Sequence, residues 1–524
     1  MRNLRGSRVL SAAVVVVLLG GLYALGGLRH PISLSAGAAP RPRHSVPVTS
    51  VVRACPAPGA QFSRGGGLAV MAAPASLGSA GTATQSPGRG SSSAGQGGAV
   101  VTRLAGLGST TPGPAVVSIT KAGTPRLATV SLDRTGRAQA APKGKPSATT
   151  VVSTAVRGGV VVQASGSLAQ GLEVEQTSGA NLPTAACSSP GTDFWFVGPG
   201  QRTAGRIQVY LMNPGSQPAD ANVDMFTDAG PLQQTTDNGI SVPPHGMIVQ
   251  SLAPVLRNSR SVTLHVRTSV GQVAAAVQES TGTGEGAWLP RAQAPATHLV
   301  IPGLPAAAGS RQLYLAVPGV KDANVKVSAV TSRGTYQPTG AGGIDIPGGS
   351  AAEVSLASLA GIPAAIKLTA STPITATVMI PGGTNGSPGS FTAAAPALEE
   401  QGVVADNVTG PGRVSALVLS APHATARVSV TQISSAGSAR RTQTVQVKSG
   451  KSLVVALKAV PGAPRGAPFA VVISPLPGSG PVYAGRVISA SGAGGTLQAM
   501  LPVASALTTV PLPPVRSAAI APAP

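Results

Sequence analysis

Aromatic residues are nearly missing from this chain: Phe, Trp and Tyr together are 2% of 524 residues. A core built with so few rings must rest on Val, Leu, Ile and Ala, and the hydrophobic share of 42% is ample for that. Uninterrupted helical windows are missing too, because 67 Gly and 48 Pro punctuate the sequence. Long helices are thereby excluded, and short strands between turns are favoured. Charge is thin at 10%, and acidic charge is thinner: 16 Asp and Glu stand against 38 Lys and Arg, a net +22. Such a balance draws acidic partners such as anionic lipid or wall polymer. It does not read as a nucleic-acid binder. Only Arg440 and Arg441 are adjacent, and stacking aromatics among clustered cations are lacking. The even spread of Arg equally suits a solubilising surface.

Linear signatures of catalysis are also missing. His30, His44, His245, His265, His298 and His423 show no H-x-x-x-H or H-x-H spacing, and two cysteines alone cannot build a structural zinc site, so no metal is expected. Acidic pairs occur at Glu173/Glu175, Asp220/Asp224/Asp228 and Glu399/Glu400. Glycosidases need paired carboxylates, but Glu173 and Glu175 equally fit one solvated strand face. Ser118-Ile-Thr-Lys121 has S-x-x-K spacing without its S-D-N and K-T-G companions. Nucleophile elbow, P-loop, dinucleotide fingerprint and calcium loop are absent. The expectation is a non-enzymatic protein with no catalytic residue and no cofactor.

What is present begins at the amino end. Arg2, Arg5 and Arg8 precede an uncharged run from Val9 to Leu28. Its twenty residues span about 30 Å as a helix, one bilayer core. The run is longer than the roughly 7–15 residues of a secretory h-region, and its one cleavage motif, Ala36-Gly37-Ala38, lies well beyond it. An uncleaved, single-pass signal anchor in the cell membrane is favoured, with secretion after cleavage as the alternative. The arginines hold the amino end in the cytoplasm and leave the bulk extracytoplasmic. In that compartment Cys55 and Cys187 read as a disulfide. Closing about 130 residues, it contributes about 3–5 kcal/mol on chain-entropy reasoning.

The ectodomain repeats itself. QVYLMNPGSQPADANVDMF from Gln208 to Phe226 returns as QLYLAVPGVKDANVKVSAV, with Tyr314 lying 104 positions after Tyr210, and again as ALVLSAPHATARVSVTQI. The next segments, starting at Ile240, Ile344 and Val445, keep nearly the same spacing, as do those at Ser261, Ala365 and Phe469. Val160 to Gln176 resembles Val262 to Gln278 and marks a weaker fourth copy beginning near Val48. Six or seven alternating strands per copy point to immunoglobulin-like sandwiches, one strand face in the core and the other in water. Pro244-His245-Gly246 and Pro347-Gly348-Gly349 fit turns with Gly where φ is positive.

The Cys-Pro that follows the apolar run, the YLMNPGSQPADANVDMF module and the VPPHGMIVQSL segment after it resemble uncharacterised secreted or membrane-anchored actinobacterial proteins of domain-of-unknown-function family 5719. The likeness runs from Val48 to Val503. Asn213-Pro214-Gly215 matches well, whereas Val317-Pro318-Gly319 and Ala421-Pro422-His423 depart. It implies a single-span envelope protein with repeated β-sandwiches and carries no activity.

The expected fold is all-β, a row of immunoglobulin-like β-sandwich modules after one N-terminal transmembrane helix. The expected divisions are an anchor at 1–29, a linker at 30–47, a degenerate module with a Gly/Ser-rich loop at 48–192, modules at 193–298, 299–401 and 402–505, and a Pro/Ala-rich tail at 506–524. Displayed as a rod, such modules would scaffold or bind envelope proteins. The alternative is a binder of anionic wall polymer or glycan, with Trp195 and Trp288 as sugar platforms and Arg202, Arg206, Arg257 and Arg260 as anion contacts; a wall-modifying enzyme ranks last.

Overall fold

The computed structural model describes residues 45–56, 66–73, 98–103, 115–120, 126–132, 159–178, 184–232, 239–280, 286–306, 310–382, 389–434, 440–492 and 495–511. The apolar run Val9–Leu28, the stretch 74–97 and residues 512–524 lie outside them. Among the described residues no helix is long and apolar enough to cross a membrane. Pro47–Val510 forms one compact unit. The other unit, Met1–Val46 with Pro511–Pro524, lies almost wholly outside the described residues.

The compact unit is nearly all antiparallel β-sheet. Its strands fall into four consecutive sets with one shared plan. In the second set the strands run, in order, Asp193–Pro199, Arg206–Met212, Ala219–Thr227, the short pair Gly230–Leu232 and Ile240–Val242, Met247–Ser251, Ser261–Val270, Ala274–Ser280 and Ala287–Leu289. Numbered one to eight, they make a first sheet in the order 1-6-3-4 and a second in the order 5-2-7-8. The same two orders recur in the set from Ser50–Cys55 to Thr184–Ala186, in that from Ala296–Leu304 to Ser390–Ala393, and in that from Gly402–Asn407 to Gly495–Val503. In the third set strands six and seven fuse into Ala364–Ile380, whose first half joins one sheet and second half the other.

Period-two alternation explains the inner faces. Ala219–Thr227 buries every second residue along its whole length. Each set has a core drawn from both of its sheets, such as Val209, Leu211, Val223, Leu264 and Val277 in the second. In the first set, Cys55 of strand one is bonded to Cys187 just beyond strand eight, which ties the two sheets together.

The second strand of every set is apolar on both faces, and this departs from the expected water-facing side. Val209 and Leu211 enter their own core, while Tyr210 and Met212 pack on Ala54 and Val161 of the first set. Tyr314, the repeat equivalent of Tyr210, packs into the core of the second set. Val418 meets Ile380 of the third set, and Tyr483 on the neighbouring strand packs on Val300, Val330 and Ala365 of that set's first sheet. Ala69 and Met71 of the first set pack on Val403, Ala405 and Val472 of the fourth. The second sheet of each set thus lies on the first sheet of the set before it, and the first set lies on the last. The four sets close a ring, where a rod was expected.

Close approach selects glycine at one of these seams. Gly303 and Gly485 meet backbone to backbone between sets three and four, with no room for a Cβ on either. The turn after strand four corrects a sequence reading. Positive φ falls on His245 (51°), not on Gly246, and the equivalent turns of the next two sets place Gly349 and Gly450 there.

The closing seam carries a buried ion pair. Glu175 and Arg486 form an ion pair at 2.8 Å with side chains 2% and 0% exposed. The other Glu175 oxygen accepts from the Ala405 N–H at 2.7 Å. Thr177 Oγ1 donates to Asp406 at 2.5 Å, and Gln401 Nε2 donates to the Ala73 carbonyl. Burial pushes Glu175 up to about 7, against the opposing pull of Arg486.

Removing one partner of this pair strands a buried charge. Arg486→Met should destabilise the unit by about 3–5 kcal/mol, and the double variant Glu175→Met, Arg486→Met should recover most of that loss. Urea unfolding of the two variants beside the parent checks both signs.

Candidate functional site

The ring has a centre. The eighth strands Thr184–Ala186, Ala287–Leu289, Ser390–Ala393 and Gly495–Val503 each touch the next, and the last touches the first. With the connections that follow them, they surround a cavity of about 430 Å³. All four sets contribute lining: Ala186 and Ser189 from the first, Trp288 and Leu289 from the second, Ala394 and Ala395 from the third, Leu501 and Ala504 from the fourth. Most of the lining is small and aliphatic. Its charged members are Arg53, Glu173 and Arg291.

The cavity wall is held by a few directional contacts. Arg53 engages Glu173 through Nε at 3.3 Å and Nη2 at 2.7 Å, and its Nη1 donates to Ser189 Oγ. Bidentate pairing fixes the guanidinium plane. Ser188 Oγ donates to the Ala275 carbonyl at 2.6 Å, which joins set one to set two. The disulfide adjoins this wall, since Cys187 is itself part of the lining.

Trp288 is buried, at 5% exposure, and its ring sits edge-on to Tyr210 with centroids 5.2 Å apart. Its Nε1–H has no partner among the described residues. Trp195 is separate from the cavity lining. It stacks on His265 at 3.7 Å and is 6% exposed. Neither tryptophan is an open sugar platform. His265 lies between Asp193, 3.1 Å from Nε2, and Asp224, 3.6 Å from Nδ1. Burial lowers its pKa against the pull of both carboxylates. Among the described residues no cluster of His, Cys, Asp or Glu could hold a metal.

The four arginines of the sequence reading are brought to one end of set two. The short helix Gln201–Ala204 carries Arg202, and Arg206 opens the following strand. The loop with Arg257 and Arg260 docks on that helix through Arg202 N to Ser259 O at 3.0 Å and Gly200 N to Arg260 O at 2.7 Å. All four side chains are exposed. Asp228 takes the Arg260 N–H at 2.9 Å. The carboxylate pairs do not assemble a site: Glu173 faces Arg53, Glu175 faces Arg486, and Asp224 binds Arg267 at 2.7 Å. Ser118 lies in the strand Ala115–Thr120.

The family profile described as "Family of unknown function (DUF5719)" matches residues 140–458. The chain belongs to this family. The DUF5719 match spans sets two and three, the last strands of set one and the first strands of set four. It includes Glu175 and Cys187 but not their partners Arg486 and Cys55. Searches of curated proteins and of solved structures give no match to the chain.

Sequence reasoning did not reveal Arg53, Glu279 or Arg291, because a lone charge in an apolar strand or in the connection after one carries no linear signature. Glu279 is on the strand paired with that of Trp288, opposite Ala287. It is 4% exposed, and burial alone lifts its carboxyl to about 8. The folded protein therefore keeps a proton that the unfolded chain releases near the ordinary 4.5. Stability contributed by this group is full below about pH 4.5 and is lost as pH rises through about 8. Glu279→Gln should flatten that decline and raise the melting temperature at pH 8.5 relative to the parent, with little difference at pH 4.5. Thermal unfolding at the two pH values checks it.

Proposed function

We propose that this protein is a non-enzymatic binding protein of the cell envelope, anchored by Val9–Leu28 with the ring outside the cytoplasmic membrane, and that the central cavity is its ligand site. The observation that carries the reading is convergence: the equivalent strand of every set, and the connection after it, meet at one cavity. Pockets of a few hundred Å³ with apolar walls and a few polar groups suit small ligands. The buried disulfide supports an oxidising, extracytoplasmic setting. Each set is read as an immunoglobulin-like module in the architectural sense, two facing antiparallel sheets. Its strand order is its own and is not the ABED/CFG order of immunoglobulin domains.

The test uses the full chain in lipid nanodiscs and a neutral diazirine-bearing dodecyl alcohol as photolabel. Labelled peptides should map to residues 184–189, 287–294, 394–396 and 500–507. Ala186 and Ala504 face the cavity and are exposed, so Ala186→Phe and Ala504→Phe should each remove most of that labelling without lowering the melting temperature. Labelling spread elsewhere, or indifferent to both variants, retires the reading.

A second reading, binding of anionic wall polymer, is favoured by the gathering of Arg202, Arg206, Arg257 and Arg260 at one end of set two. Polyphosphate titrated onto the nanodisc-held chain should bind at low salt and weaken steeply as salt rises. The triple variant Arg202→Gln, Arg257→Gln, Arg260→Gln should bind at least tenfold more weakly. Equal binding by parent and variant dismisses this surface.

A further inference from the structure

The polar groups around the cavity are unbalanced. Arg53 is engaged by Glu173, Ser189 and the Val52 carbonyl. Ser188 is engaged by Ala275, and Ser505 accepts from the Glu399 N–H. Of the two lining cations, Arg53 is paired with Glu173, whereas no ion pair holds Arg291 among the described residues. Arg291 stands at the rim, with Nη2 on the Asp193 carbonyl at 2.9 Å and its guanidinium 4.5 Å above the Phe194 ring.

No carboxylate lies within ion-pair distance of Arg291 among the described residues; the Asp193 carboxylate, 3.1 Å from His265 Nε2, acts on it from farther off. Partial burial lowers the Arg291 pKa against the pull of Asp193, and an incoming anion adds to that pull. A ligand head suited to this lining accepts hydrogen bonds and carries negative charge. A ligand body suited to it is aliphatic, since Ala, Leu, Pro and Met make up most of the rest.

We propose that the cavity takes a single-chain anionic amphiphile, its aliphatic chain among Leu289, Ala395 and Leu501 and its acidic head on Arg291. The inference rests on the cavity being the ligand site. The head chemistry is shared by a free carboxylic acid and by an alkyl phosphate from a lipid.

The experiment photolabels the nanodisc-held full chain with diazirine analogues of dodecanoate, dodecyl phosphate and dodecanol at equal, sub-saturating concentration. Either or both anions should label the cavity peptides at least tenfold more than the alcohol, and which anion leads names the source. Arg291→Gln should bring anion labelling down to the alcohol's level while alcohol labelling stays unchanged. Cavity labelling by the alcohol equal to that by the anions overturns the anionic class while leaving the ligand site standing. Absence of cavity labelling by all three overturns both. Anion labelling that persists in Arg291→Gln overturns the assignment of the head.

Discussion

Every second strand in this protein is apolar on both faces, and neither face can be left to water. One face closes the core of its own set. The other must be covered by another sheet, and what covers it is the outer face of the preceding set. Contacts of this head-to-tail kind either propagate without limit or close on themselves. Here they close after four steps, so that no set is left with an uncovered second sheet. The remaining features, the short connections, the seam glycines and the central cavity, follow from that closure.

The seams differ because the chain treats them differently. Between consecutive sets a short connection holds the sheets in register, beside apolar packing of Tyr210, Tyr314 or Val418 and single hydrogen bonds such as Ser188 to Ala275 and Ser452 to Val330. Between the last set and the first, no such short link exists. That seam has a buried ion pair, a carboxylate on a backbone N–H, and a glutamine side chain on a carbonyl. Hydrophobic contact is tolerant of slippage; directional bonds are not. The polar seam thus fixes an alignment that covalent linkage fixes elsewhere, at the desolvation cost any buried pair carries.

Much of the strand layer was legible in the sequence. Alternation marked Ala219–Thr227, the spacing of Tyr210 and Tyr314 marked equivalent strands, and two cysteines outside any metal pattern marked the disulfide. The ring was not legible, although a trace of it was present. QVYLM and QLYLAV read as continuous apolar runs, which signal burial on both faces, and a single repeat cannot say what lies on the second face. The cavity was less legible still. It is assembled from one short strand and one connection per set, over more than three hundred residues of sequence. Trp288 stood out by rarity, but rarity does not separate a lining residue from a stacked one such as Trp195. The left-handed turn residue was misassigned to Gly246 because glycine is the usual occupant, while the backbone puts it on His245.

The ring also changes what the order of the chain means. Val48 N–H bonds the Thr508 carbonyl at 3.0 Å, so the two ends of the compact unit lie side by side at the closing seam. With its ends adjacent, the unit has no topological first or last member. A circular permutant opened at the connection between sets two and three, and joined across the old ends, would present the same eight-sheet succession around the same centre. The polar seam marks where the ring closes, whichever connection the chain is opened at.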